Sequence, residues 1–591
     1  MTNLIRSPAG ISFAFPTASN RNYTVNWSTL GPQEVWETLT NVHGNGALAE
    51  IRDPATPDHT RFYRVFAESP VRYLTVGHVS PTTARLAVGL DAPRDLYLIY
   101  STDPGLADWN ILGPFPVSVT DDFTRAIDIT GLTPGTSYYF NLLVDSQLYY
   151  SMPYPNFRTQ PPLGTPGMVK FGFGSCFRGT GGGGYGTIAL AAPSEANDIW
   201  QAIVAKEPNF FLHLGDTAYC DNMGANDLKG YRLVHRHGMD ERLPNMAGYA
   251  FYRRHFSFYC TLDDHEIRND WPWDPNASAP FWAGYLGIGR QAFHEYSGRA
   301  NPDPLEPGEL YYNLQFRDVG FFVTDTRSFR SCQEGDDSLA DIPSEDVALT
   351  FNGQAATATG RDWNGGLGFT AGLVGRTLRL ANGQTRYVIA QNSPTQISVS
   401  PPGLSGTYVL TVLGKTVLGA PQKQHLKDWL LQNKNTLRVK FIATATGING
   451  LTEHVTRKDA WGAGYQAELY EIMDFITANQ IRNVVFLGGD QHWAGSFNRP
   501  RNGVNFFEFM SSPLFAFPFP KYSDTNQVLL SRVNWMFDLT DNHGRSENFG
   551  LVTVQTDTPT ATIKFELFDP DGMLLNSTSL REGRSGLELA P

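Results

Sequence analysis

The sequence predicts an α+β protein in several domains: all-β modules first, then a larger unit in which strands alternate with helices. Three observations predict it. At 591 residues the chain is too long for one core, and length alone suggests about three or four domains. A Pro/Gly-rich linker, TQPPLGTPG over 159–167, separates short alternating strands from longer apolar ones. Beyond that linker, five apolar strands each stop abruptly at residues that can ligate metal or move protons.

Composition narrows the class further. A hydrophobic fraction of 41% with 18% charged residues is that of a globular chain. The net charge of -12, with no Lys/Arg run, excludes an extended nucleic-acid footprint or an anionic-membrane surface. No apolar segment approaches the roughly 20 residues of a membrane helix. No signal peptide is read in the opening MTNLIRSPAG. The four cysteines, Cys176, Cys220, Cys260 and Cys332, are too few for a disulfide scaffold of this size. Cys220 and Cys260 flank two of the five strands and read equally as a bridge or as two free thiols.

Residues 1–68 read as a small β module. Tyr23-Thr24-Val25-Asn26-Trp27 alternates, and Gly44-Asn45-Gly46 marks a turn. Its role reads as packing rather than carbohydrate binding or targeting. Residues 69–162 form a second β unit, with strands at Arg85–Val88 and Leu96–Tyr100. The stretch ITGLTPGTSYYFNLLV (129–144), a turn feeding an aromatic strand, resembles fibronectin-type-III sandwiches.

From 163 to 591 the rhythm is α/β. Val169–Gly174 is a strand ending in Ser175-Cys176. A glycine-rich loop at 179–186 follows; it lacks the Lys-Ser/Thr of a nucleotide cradle and reads as a rim or solvent loop. A helix comes next, capped by Ser194, with Ile199, Ile203 and Trp200, Val204 at i, i+4. FFLHLGDTAYC (210–220) delivers Asp216 and Tyr219 where a buried strand breaks at Gly215, and open α/β sheets place active sites at such strand ends. Phe256–Leu262 ends in Asp263-Asp264-His265-Glu266, and Gly320–Val323 ends in Asp325-Thr326-Arg327. Residues 347–417 interrupt the pattern with β-hairpins and an Asn382-Gly383 turn, an inserted β subdomain. Helices then resume at Gln422–Gln432 (Leu426, Trp429, Leu430 inward) and Ala467–Ala478 (Leu469, Ile472, Met473, Ile476 inward). Val439–Thr444 is a strand, and Val484–Leu487 is one that ends in Gly489-Asp490-Gln491-His492.

Any one of these endings is weak evidence, because a Gly-Asp pair is commonly just a turn. Five at the same position on their strands point to one shared metal site. Carboxylates and a phenolate favour Fe³⁺ or other hard cations, while imidazole and thiolate hold a transition metal. Several carboxylates can hold two ions bridged by one of them, and Asp216 is the natural bridge. A bound water would lose its proton near neutral pH and attack a phosphorus in line. His265 would protonate the leaving alkoxide or orient the phosphate, and Arg327 would pair two phosphoryl oxygens. His213 reads as a core histidine. His235, His237, His454 and His543 have no motif that marks them as ligands.

The ordered set GSC, HLGDxxY, DDHE, DTR and GDxH resembles the PhoD-like alkaline phosphatases and phosphodiesterases of the calcineurin-like metallophosphoesterases. Asp459-Ala460-Trp461 with Gly464-Tyr465, and Phe507-Glu508-Phe509 with Ser511-Ser512, resemble that family's later segments. The resemblance covers about 70 to 590 without the insertion. It implies a metallophosphoesterase αββα sandwich, two mixed β-sheets flanked by helices, behind a β-sandwich. It also implies one iron ion with one or more calcium ions. Cys176, Asp216, Tyr219 and His492 would ligate iron; Asp216, Asp264, Asn269 and Asp490 would face calcium. The family tends to show two Asn after DDHE; here Arg268-Asn269-Asp270 stands instead, which places Arg268 and Asn269 where they can shape substrate preference. The resemblance implies a secreted, periplasmic or cell-surface enzyme acting on small-molecule or polymer phosphate esters, mono- or diesters. Oligomeric state is not read. Purple acid phosphatases share GDxxY and a leading sandwich, but they expect GNH and GHxH where this chain has Asp263-Asp264-His265 and Gly489 to His492. A non-catalytic surface-adhesion protein, suggested by three β modules, would require missing motif residues, and none is missing. Trp461 reads equally as pocket lining or core.

Overall fold

The apolar strands of the C-terminal part pair into two seven-stranded mixed sheets that face one another. In this computed structural model the described residues are 2–7, 10–17, 22–28, 37–45, 47–54, 61–67, 70–178, 193–221, 223–243, 246–272, 279–330, 347–358, 369, 377–380, 384–412, 415–449, 459–516, 532–537 and 547–590. The glycine-rich loop, the Asn382-Gly383 turn, Cys332, His454, His543 and the Ser194 side chain lie outside them.

The first sheet runs Ser257–Cys260, Phe210–His213, Met168–Gly174, Phe549–Gln555, Thr562–Phe568, Leu574–Glu582, Leu587–Leu589. Its first three strands are mutually parallel and the rest antiparallel. The second runs Tyr312–Phe316, Val319–Val323, Val439–Thr446, Val484–Gly489, Val504–Met510, Ala494–Arg501, Arg532–Phe537, with the second to fifth parallel. Phe210–His213, Ser257–Cys260, Val319–Val323, Val439–Thr446 and Val484–Gly489 are buried at every position, as parallel strands covered on both faces must be.

Between the sheets lies an aromatic core. Phe171 stacks on Phe210 at 5.3 Å and meets Phe321 edge-on at 5.0 Å. Helices Pro193–Ala205 and Ala247–His255 cover the outer face of the first sheet through Trp200, Tyr249 and Tyr252 against Phe211 and Phe258. Helices Gly419–Gln432 and Gln466–Ala478 cover the second through Leu426, Leu430, Leu469, Ile472 and Met473. The residues whose i, i+4 spacing predicts helices are thus the ones that reach the sheets; Val204 is only half-buried. Among the described residues no helix is long and apolar enough to cross a membrane.

The N-terminal residues are all β. Two three-stranded sheets between Thr2 and Ala67 enclose Phe13, Phe15, Tyr23, Val25 and Ile51. A three-stranded and a five-stranded sheet between Val71 and Arg158 enclose a second core that includes Leu86, Val88, Leu98, Phe140 and Phe157. The interruption at 347–417 is more than a row of hairpins. Its six strands close into a barrel because Val347–Gly353 pairs along its length with Leu404–Val412. Closure removes free sheet edges, and it is set by long-range register that no local turn signal carries.

Candidate metal centre

The parallel strands of both sheets end on one side of the sandwich, and their last residues are stitched together by main-chain hydrogen bonds. Cys176 N donates to Gly215 O (3.1 Å), Phe177 N to Asp216 O (3.1 Å), Leu514 N to Ser175 O (2.8 Å) and Phe515 N to Cys176 O (3.1 Å). Four ligand-bearing residues sit there on left-handed backbone: φ is 61° at Cys176, 57° at Asp216, 69° at Asp490 and 55° at His492. Each such residue costs on the order of 1–3 kcal/mol and persists only where its surroundings over-determine it. Gly215, at φ 96°, admits no side chain, because a Cβ there would lie 2.3 Å from that of Asp263.

The buried Glu266 carboxylate fixes the turn that carries Asp216. It accepts from Asp216 N (3.2 Å), Asp263 N (3.0 Å), Ala218 N (3.3 Å), Thr217 Oγ1 (2.7 Å) and Thr217 N. On the opposite side Ser175 Oγ accepts from Asp490 N at 2.8 Å, and Ser512 Oγ lies 3.3 Å from Cys176 Sγ while accepting from His492 N at 3.1 Å.

Among the described residues three groups of side chains bring ligand atoms within 4.8 Å of one another: Cys176, Asp216 and His492; Asp216, Asp264 and His265; and Asp216, Asp263, Asp264 and Asp490. Asp216 belongs to all three. Its carboxylate oxygen is 3.3 Å from Cys176 Sγ. The electrostatics are those of a site short of positive charge. Burial, then the Asp490 charge, pushes the Cys176 thiol up to about 12. Burial and the neighbouring acidic groups raise Asp216 and Asp490 well above the carboxylate range, and burial raises Asp263 to about 8 against the pull of Arg327. The hydroxyl of Tyr219, Asp263 Oδ2 and Asp264 Oδ1 are buried with no hydrogen-bond partner among the described residues. Unpartnered oxygens beside a thiol and an imidazole fit hard cations together with a transition metal, so the residues present suit a metal centre.

The sequence profile of the PhoD-like phosphatases matches residues 191–565. The chain belongs to the PhoD-like phosphatase family. A solved structure of PhoD shares its fold with a TM-score of 0.58 at 16% identity, covering 89% of this chain and 93% of that one. The purple acid phosphatase PPD1 from yellow lupin (Lupinus luteus) seeds shares it with a TM-score of 0.51 at 8% identity, covering 96% and 92%. No curated protein matches by sequence. This PhoD-like phosphatase is therefore a metal-dependent hydrolase of phosphoric esters.

Not every expected residue of this PhoD-like phosphatase sits where the sequence reading put it. Cys176, Asp216, Asp264, His265, Asp490 and His492 come together as described. The Tyr219 ring lies 4.2 Å from that of His265, and burial with the Cys176 and Asp216 charges raises its hydroxyl pKa well above 10. Asn269 and Arg268 stand on the exposed rim; the Asn269 amide donates to Asp270 Oδ2 at 2.7 Å, and the Arg268 guanidinium lies over the Tyr285 ring.

Arg327 corrects the expectation that it pairs phosphoryl oxygens. It is fully buried and spent on protein groups. Its Nε donates to Asp263 Oδ1, its Nη1 to Trp271 O (2.9 Å) and Asp459 Oδ1 (2.8 Å), and its Nη2 to Asp459 Oδ2 (3.1 Å). Asp264 and Asp490 oxygens lie 3.8 and 3.7 Å from Nη2. It is the counter-charge of the acidic cluster. Asp325 lies outside the ligand groups found among the described residues: its Oδ1 caps its own turn, accepting from Arg327 N (3.0 Å) and Ser328 N (2.9 Å), while its Oδ2 is buried. Among the described residues, four of the five strand ends contribute to the ligand groups.

The bland alternatives resolve similarly. Trp461 is fully buried among Ile448 and Tyr465. Cys220 and Cys260 are buried free thiols and form no bridge. His213 is buried beside Phe258, and burial lowers it to about 3. The sequence reading missed Asp221, whose Oδ1 is 2.8 Å from His265 Nδ1, and the cradling role of Glu266. Their one local signal was adjacency: Asp221 follows Tyr219 by two residues, and Glu266 closes the DDHE run.

Proposed function

We propose that this phosphatase works with one iron ion and one or more calcium ions sharing Asp216. Cys176, Tyr219 and His492 would hold the iron side; Asp264, Asp490 and the rim residue Asn269 would hold the calcium side. The observation that carries this reading is the membership of Asp216 in all three ligand groups. Such ions supply Lewis acidity at the phosphoryl oxygens and a strong nucleophile at neutral pH. The protein's own part is to hold His265 beside the ester. Burial disfavours its charge, but the carboxylates of Asp216, Asp264 and Asp221 raise its pKa well above 6.5; its role would be to give a proton to the leaving alkoxide. Arg268 and Asn269, exposed at the rim, are placed to meet the rest of a substrate.

The same reading divides the chain into a β module of residues 1–68, a fibronectin-III-like sandwich of 69–162, and a catalytic domain of 163–591 carrying the barrel at 347–417. Support for the second is the Tyr138 hydroxyl at the start of strand Ser137–Val144, which accepts from Thr133 N at 2.9 Å as the corner tyrosine of such sandwiches does. Export to the periplasm, cell surface or medium follows from the family resemblance.

The test is hydrolysis of chromogenic phosphate mono- and diesters, with elemental analysis before and after chelation. Iron and calcium in the active protein, with activity lost on chelation, are expected. Metal-replete protein that hydrolyses no ester would refute the enzyme reading. Full activity without iron would refute the metal assignment.

A further inference from the structure

We propose that Asp221 is the positioning residue of this centre: its carboxylate aims His265 at the ester. It rests on the reading of His265 as the group facing the leaving alkoxide. Asp221 Oδ1 is 2.8 Å from His265 Nδ1, and both side chains are only 12% exposed. Its other oxygen accepts the Asn269 amide at 2.8 Å.

The two loops meet by construction. Cys220 N donates to His265 O at 3.0 Å, which sets the residues after each end side by side. Gly224 N donates to Asp221 O at 3.0 Å, closing a turn that holds Asp221 in place. The His265 main-chain N–H points to Asp216 Oδ1 at 3.3 Å, so its backbone is tied to the shared carboxylate. Tyr219 lies against one face of the imidazole at 4.2 Å. Asp221 fixes the ring in its plane and Tyr219 fixes it on its face. With Nδ1 engaged, Nε2 is the nitrogen left for substrate.

An amide cannot take over. The Asn269 main-chain N–H is an obligate donor, and in the protonated imidazole that gives its Nε2 hydrogen to the alkoxide Nδ1 also carries a hydrogen, which it presents to Asp221. Asn at 221 has one acceptor for two donors, so one partner is released. Groups that orient active-site side chains in this way are worth about 10–100-fold in activity.

The experiment is a double-mutant cycle on metal-loaded protein with Asp221→Asn, His265→Ala and the pair. One substrate is p-nitrophenyl phosphate, whose leaving group needs no proton, and the other is an alkyl phosphate, whose leaving group does. Asp221→Asn is expected to lower kcat on the alkyl ester about 10–100-fold with KM unchanged. The aryl ester should lose far less, and the metal content should equal that of the wild type. In the His265→Ala background the second change should add no more than about twofold. Additive losses, equal losses on both esters, or metal lost with activity would each overturn the role. If Asp221→Asn melts early, Asp221→Glu, which keeps the charge but shifts both acceptors, takes its place in the same cycle. An active wild type with Asp221→Asn at full kcat overturns the role of Asp221 alone. A wild type that cleaves neither ester, nor the corresponding diesters, overturns the phosphatase reading as well.

Discussion

Glu266→Gln probes how the centre is held before any ion binds. Glu266 presents two carboxylate oxygens to five donors around the turn that carries Asp216: Oε2 accepts from Asp216 N and Asp263 N, and Oε1 from Thr217 N, Thr217 Oγ1 and Ala218 N. Glutamine has the same shape but one acceptor. Turned the better way, its NH₂ faces the Asp216 and Asp263 amides and leaves both buried and unsatisfied. Each orphaned donor costs about 1–3 kcal/mol, so the gross loss is about 2–6 kcal/mol. Some is offset, because burial raises the Glu266 pKa and a neutral group is easier to bury there. The net expectation is about 2–4 kcal/mol, a large share of a typical domain's stability. The assay is guanidinium denaturation of chelated protein followed by tryptophan fluorescence, since bound metal would stabilise the folded state by mass action and hide the difference. The same variant, reloaded with metal, should bind it less tightly because the Asp216 turn is loosened. A variant within about 0.5 kcal/mol of wild type would show that the left-handed turn is held by something other than Glu266.

Other perturbations read other parts of the centre. Arg327→Ala should destabilise the chelated protein by about 3–5 kcal/mol, as breaking a buried ion pair does; a variant of unchanged stability with only a raised KM would restore Arg327 to substrate binding. Gly489→Ala should cost about 1–3 kcal/mol and most activity, because its methyl would lie 2.5 Å from Ser175 Oγ, the group that accepts from Asp490 N; wild-type metal content in a stable variant would contradict this. Tyr219→Phe should abolish the visible charge-transfer band expected of a phenolate on ferric iron, and an unchanged spectrum would remove Tyr219 from the ligand set. His235 is buried, and burial lowers its pKa from 6.5 to about 3. A depressed folded pKa means stability that is complete above 6.5 and lost as pH falls towards 3. That is about 2 kcal/mol between pH 6.5 and 5, so His235→Phe should shrink the acid sensitivity of denaturation by that amount, and equal slopes would refute it.

Much of this architecture was legible in the chain. Strand termination at Cys176, Asp216, Asp264 and Asp490 is a local signal, because an apolar run broken by Gly, Ser or a carboxylate announces where a side chain leaves the sheet. The helical faces of Leu426 and Leu469 were legible by periodicity for the same reason. What escaped was direction. Asp325 ends its strand as Asp216 does, but its carboxylate turns back to cap Ser328 N, and nothing in the local sequence distinguishes the two. Arg327 looked like an anion clamp until four carboxylates were found around it, brought from three separate stretches of chain. The closed barrel at 347–412 and the Asp221–His265 pair are also products of contacts between distant segments, which periodicity does not see.

The third strand of the first sheet has a consequence for biosynthesis. Met168–Gly174 pairs on one side with Phe210–His213 and on the other with Phe549–Gln555, and the contact of Gly167 with Thr556 spans 389 residues. At ribosomal speeds of about 5–20 residues per second, roughly 20 to 80 s separate the emergence of one edge from that of its neighbour. For most of that interval Cys176, Asp216 and Tyr219 are already out while His492 and Ser512 are not, so a nascent chain exposes three of the four residues proposed as iron ligands beside an open strand. The two N-terminal β modules and the self-closed barrel can be finished early, but the phosphatase sandwich can close only when its last strands arrive.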